Sequence, residues 1–396
     1  MKRLLSIVAT IYVAALLGVI NAQPGSTTDG KQIFRFDTFG DDQLWTDTLQ
    51  MHRVIASSVS PRIALGVGLK VDAEALPPAL VSQLQGGQVN LDDPAVTIEL
   101  LRLNAVVGVI GKVDDQGQLI RVGITCALCH STVDNSLAAG IGKRLDGWPN
   151  RDLNVGVILG LSPALVSFKD EFSKWGPGKY DPRHHAFDGT SIIPLNSPSL
   201  PVLIPPAYGL QGVGFETYTG DGSISYWNKY VGVSQMGGQG NFSDPRINLE
   251  ISQHPDRVTS KLAALLDYQL RLFAPAPPNG SFDPAAARRG QRVFEGKAGC
   301  ARCHSGPAFT DVSSGAPGVP VLYEPVEVGA DARYAERSAT KQYRTSPLRG
   351  IWQHPPYFHD GSAATLLDVV NHYDEHFKLN LSPQQKEDLV QYLNSL

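Results

Sequence analysis

Two short strings constrain this chain more than anything else in its 396 residues: Cys126-Ala127-Leu128-Cys129-His130 and Cys300-Ala301-Arg302-Cys303-His304. Between them they contain all four cysteines. With four Cys and ten His, a single chance match of this pattern arises in about one such chain in a thousand, and two are far rarer. The spacing has a chemical reason. Two thiols on one helical turn meet the two vinyl groups of one haem, and the histidine that follows is directed at the iron. The sequence therefore predicts two covalently bound haems, with Cys126, Cys129, Cys300 and Cys303 as attachment points and His130 and His304 as proximal iron ligands. Rival readings explain less. Disulfide pairing leaves a histidine after each pair unaccounted for, a single four-cysteine zinc site idles both histidines, and a thioredoxin-like motif lacks its strand and helix. A chain wrapped around flat cofactors needs many loops, and 39 glycines and 28 prolines supply them.

The N-terminus reads as a secretory signal over residues 1–22: Lys2 and Arg3 precede the apolar run Leu4 to Ile20, and Asn21-Ala22 is followed by polar Gln23-Pro24-Gly25. Cleavage is expected after Ala22; the alternative is an uncleaved leader acting as a membrane anchor. Export agrees with covalent haem attachment and predicts a periplasmic, soluble body. The formal charge is −4, with no basic run and no aromatic-basic interleaving, which excludes nucleic acid as a partner. A mildly acidic surface suits a small redox protein.

The expected fold is mainly α, with two haem domains, loop-rich insertions and a small β-hairpin. An N-terminal haem domain covers 23–275 with an extra N-terminal segment; Pro275, Pro277, Pro278 and Gly280 then punctuate the chain before a C-terminal domain over 281–396. In the first region, Ala105–Val113 and Gln118–Thr125 read as the hairpin. Leu153–Leu161 and Val258–Phe273 read as helices. In the second, Asp283-Pro284 starts a helix through Ala285–Phe294. Leu366, Leu367, Val369, Val370 and Tyr373 mark an amphipathic helix. Ser382-Pro383-Gln384-Gln385 is a capping box opening a last helix with Leu389, Val390, Leu393 and Leu396 on one face.

The strings Tyr343-Arg344-Thr345-Ser346-Pro347-Leu348-Arg349-Gly350-Ile351, Pro356-Tyr357-Phe358-His359-Asp360-Gly361-Ser362 and Ala364-Thr365-Leu366 resemble the C-terminal domain of bacterial dihaem cytochrome c peroxidases and MauG-type enzymes. Asn196-Ser197-Pro198 and Gly220-Asp221-Gly222-Ser223 resemble the family's N-terminal haem domain more loosely, and Asp37–Ile120 has no counterpart there. The resemblance implies two cytochrome c-like domains and electron transfer between their haems. The partner it implies is a small cytochrome c or copper protein. The alternatives are hydrogen peroxide reduction and oxidation of an organic substrate. It implies Tyr373 as distal ligand of the second haem, with His372 and His376 as the nearby alternatives. For the first haem the distal candidates are His184, His185 and Met236, the last flanked by Gly237 and Gly238, which let the backbone approach a flat cofactor. A calcium ion is implied at Asn196 and main-chain oxygens near Pro356. Two departures stand out. Gln235, the catalytic candidate by position, holds the place of a proton-transferring glutamate, and Gly220 holds that of an inter-haem tryptophan, for which Trp227 is the nearest substitute.

Overall fold

The computed structural model describes residues 29–182 and 199–396. The leader over 1–22 and three sequence candidates, His184, His185 and Asn196, lie outside the described residues.

The predicted hairpin forms. Val109–Val113 pairs antiparallel with Leu119–Ile124, with Val109 opposite Ile124. Asp114 sets the turn by accepting from the main-chain nitrogens of Gln116 and Gln118. Alternation buries Val109, Leu119 and Val122. Beneath them lies the segment without a family counterpart: Thr46 exchanges two hydrogen bonds with the main chain of Val122. Strand Leu119–Ile124 runs directly into Cys126. Four further two-stranded sheets occur among the described residues, so the expectation of one hairpin undercounts the β structure. They pair Val71–Asp72 with Ile141–Gly142, Ser131–Val133 with Arg144–Asp146, Lys179–Tyr180 with Val202–Leu203, and Asn241–Asp244 with Leu249–Ser252. Strands of two to four residues are too short to carry an alternation that a sequence can display.

Helices of the first region are shorter than their apolar patterns. Leu153–Leu161 yields a helix only over Val155–Leu159, capped by the Asn154 side chain and ended at Gly160. Val258–Phe273 yields Leu262–Leu270, because Asp256 holds the nitrogens of Val258 and Thr259 and the chain enters through a 3₁₀ turn at Thr259–Lys261.

The second region follows its sequence closely. Asp283 caps the helix Pro284–Glu295, and Ser382 with Gln385 forms the capping box of Pro383–Asn394. These two helices cross where Gly290 meets Asp388: a Cβ on Gly290 would collide with the Asp388 main-chain oxygen. Arg289 clamps the crossing through a two-pronged bond to the Asp388 carboxylate. Leu366–Phe377 is the third helix, opened by a capping box of Thr365 and Asp368. Its inward face is Leu366 and Val370, while Leu367 points outward at 42% exposure, against its place in the predicted face.

Two apolar cores are built from residues between Ile33 and Leu265, and a third from residues between Phe294 and Leu396. A small fourth cluster joins Val202 to Tyr334, Ala335 and Tyr343. Leu203 N donates to His359 O at 2.8 Å and Lys179 Nζ to Asp360 O at 2.6 Å, tying the first region to the Pro356 loop. No described helix is long and apolar enough to cross a membrane.

Candidate haem sites

The first motif sits where the hairpin ends. Ala127–His130 make one helical turn that points Cys126, Cys129 and His130 into a cavity of about 1570 Å³, part of it open to solvent. His130 Nδ1 lies 3.1 Å from Pro205 O. A proton on Nδ1 leaves the Nε2 lone pair for a metal, the usual arrangement of a ligating histidine. Burial lowers the His130 pKa to about 4, so the ring is neutral and able to ligate. Burial also pushes both thiols up to about 12, keeping them uncharged. The cavity wall is mostly apolar. Neutral donors around a large apolar space fit a haem.

The second motif repeats the arrangement. Cys300–Arg302 form a 3₁₀ turn, and His304 Nδ1 lies 3.0 Å from Phe309 O. Burial lowers the His304 pKa, and burial raises Cys300 to about 11. Phe294 packs beside the His304 ring. Tyr373 projects toward Cys300 and Cys303: burial, with the two thiols adding to it, pushes its hydroxyl up to about 12. Its neighbours face elsewhere. His376 Nε2 sits 3.0 Å from Glu327 O, and the His372 ring packs at 4.8 Å on Phe358. Among the described residues no three His, Cys, Asp or Glu side chains converge to hold a metal ion, so the two cysteine pairs do not build one zinc site.

The candidates of the stretch 227–238 divide. Gln235 and Met236 both line the first cavity, Met236 at 4% exposure. Met236 is therefore beside the first motif and not the second. Gln235 Nε2 donates to Pro182 O at 2.5 Å. The glycines after Met236 serve a different purpose from the one expected. A Cβ on Gly237 would strike the Leu44 side chain and one on Gly238 the Gly232 main-chain oxygen and the Phe39 side chain, so they admit the N-terminal segment and the preceding turn and not a cofactor.

A family model described as RoxA-like, cytochrome c-like, matches residues 342–376. The chain is 31% identical to hydrazine synthase subunit gamma of Kuenenia stuttgartiensis, over 34% of this chain and 49% of that protein. It is 31% identical to methylamine utilization protein MauG of Methylorubrum extorquens, over 37% and 46%. It is 30% identical to cytochrome-c peroxidase IdrP1 of Denitromonas iodatirespirans, over 35% and 50%. Over the matched part the chain is similar to proteins of the dihaem cytochrome c peroxidase/MauG superfamily. It spans about half the length of the relatives it matches. The cytochrome c-like match and these relatives imply covalently bound c-type haem.

The first cavity has further lining residues beyond its haem motif. Trp45, from the segment without a counterpart, lines it and donates its indole N–H to Met236 O at 2.9 Å. Trp227 lines it too, with its indole N–H on Glu216 O. Glu216 is buried, and its carboxylate lies 3.4 Å from the buried Arg344 guanidinium, which also donates to Thr217 O and Phe215 O. Burial pushes the Glu216 carboxyl up to about 7, with Arg344 opposing. The sequence signal for Arg344 was its place in the signature; for Glu216 there was none. Asp221, from the Gly220-Asp221-Gly222-Ser223 string, accepts from Thr219 Oγ1 and Thr340 N and is not among the cavity residues.

Proposed function

We propose that the chain is an exported, periplasmic dihaem c-type cytochrome that passes electrons between a haem at 126–130 in a domain over 23–275 and a haem at 300–304 in a domain over 281–396. The observation that carries this reading is the repeated histidine geometry: after each cysteine pair, a buried imidazole has Nδ1 against a main-chain oxygen, Pro205 in one case and Phe309 in the other. Bound haem would supply the one-electron chemistry. The protein's part is to fix the imidazoles, close the first site with Trp45 and Met236, and offer Tyr373 to the second. A small cytochrome c or copper protein is the proposed partner.

A second reading, peroxide reduction, gains support from Glu216. A carboxyl titrating near neutrality in the wall of the first cavity can hold or release a proton there, as Gln235 cannot. For calcium, the His354 main-chain oxygen near Pro356 already accepts from the Arg151 guanidinium at 3.1 Å, and Asn196 lies outside the described residues.

Optical and electron paramagnetic resonance spectra of oxidised and half-reduced protein, wild type and Tyr373→Phe, test the electron-transfer reading. If Tyr373 ligates iron, its loss moves one haem's ferric spectrum to a high-spin or water-bound form and raises that haem's potential, since a phenolate favours ferric iron. An unchanged spectrum removes Tyr373 as ligand, and a wild type in which only one haem can be reduced removes transfer between two.

A further inference from the structure

Among the described residues, buried arginine side chains come with carboxylates, except one. Arg144 pairs with Asp72 at 2.9 Å, Arg337 with Asp181 at 2.9 Å, and Arg344 with Glu216 at 3.4 Å. Arg151 forms no ion pair among the described residues. Its Nη2 donates to His354 O at 3.1 Å and lies 3.5 Å from His354 Nδ1, the guanidinium meets the Tyr218 hydroxyl, and Nε and Nη1 are closed off from solvent. The groups around it are neutral. Tyr208, Tyr218 and Tyr357 each place the hydroxyl on a main-chain oxygen, of Gly350, Leu203 and Ile351 respectively. Burial raises all three phenols, and it holds His354 down at about 3 with Arg151 adding to the effect. A guanidinium taken out of water without an anion is unfavourable unless something opposite in charge comes near it.

Position supplies the candidate. Arg151 stands against Tyr218, and Tyr218 lines the first cavity, so the guanidinium is one side chain from the space a haem would fill. On its other side it holds the main chain of the Pro356 loop. We propose that Arg151 is a built-in cation joining the wall of the first cavity to the Pro356 loop, that its charge acts on the haem this cavity would hold, and that it takes a place a divalent ion would otherwise fill, so the chain binds no calcium there. This rests on the haem reading above. A guanidinium suits the task because it stays charged under burial that would neutralise a lysine.

The test uses the full-length holoprotein, with haem content read by intact mass on the same sample. Fewer than two haems would count against the haem reading and leave Arg151 to be judged by its own results. Wild type should carry no stoichiometric calcium after gel filtration, and its unfolding midpoint should not move with EDTA or with added calcium chloride. Stoichiometric calcium whose removal lowers the midpoint overturns the proposal. In redox titrations, Arg151→Gln should lower the potential of one haem, because losing a buried positive charge favours ferric iron. Arg151→Lys, whose buried amine is charged only toward the lower end of the pH range, should recover that loss there and not at high pH. Potentials unchanged in Arg151→Gln overturn the electrostatic role. If Arg151→Gln does not fold, Arg151→Lys in parallel titrations from pH 6 to 10 reads the same charge. A potential that falls as the lysine deprotonates supports the proposal, and one that follows wild type throughout contradicts it.

Discussion

Glu216 shows how a residue with no motif around it becomes the most responsive group in a site. Its folded pKa, raised to about 7, lies above the value near 4.3 of an unfolded glutamate. Between those values the folded protein holds a proton that the unfolded chain has released. Its contribution to stability is therefore complete below about pH 4, falls as pH rises, and is lost above about pH 7. The full span corresponds to at most about 4 kcal/mol, with the opposing effect of Arg344 already included in the shifted value. Denaturant midpoints at pH 5 and pH 8 should show wild type losing stability over this interval and Glu216→Gln losing less; equal slopes would contradict the assignment. The residues that could be read from the sequence were those whose partners are adjacent in the chain. Two cysteines and a histidine within five positions declare their chemistry. Glu216 with Arg344, and Arg151 with His354, meet only after the chain has folded, and no local pattern marks them.

At the scale of elements, the same distinction separates helices from sheets. Asp283, and Ser382 with Gln385, act within one turn of themselves, and the helices they start lie where the sequence placed them. The two-residue strands owe their existence to distant partners and left no trace. Gly290 belongs with the latter: within a helix it reads as a weakness, and only the crossing with Pro383–Asn394 shows that any larger residue meets the Asp388 main chain. Gly290→Ala should therefore destabilise, by about 1–3 kcal/mol from overpacking, although alanine is the better helix former. Thermal unfolding followed by far-ultraviolet circular dichroism would measure it. A stabilised variant would mean that the two helices can separate to admit a methyl group.

For the whole molecule, the account rests on one architecture used twice: a cysteine pair on a short turn, a neutral imidazole held through Nδ1, and an apolar wall. The repetition was legible in the motifs, but the inequality of the two sites was not. The first is enclosed by a segment outside the family pattern, through Trp45, and the second relies on helix Leu366–Phe377 and its Tyr373. The measurement that bears most directly on the central claim is the intact mass of the denatured wild-type protein beside Cys126→Ala and Cys300→Ala. Two haem additions are expected on the wild-type polypeptide and one fewer on each variant, because a haem with a single remaining thioether partner is poorly retained. A wild-type mass carrying one haem or none, or a variant that keeps both, would contradict it.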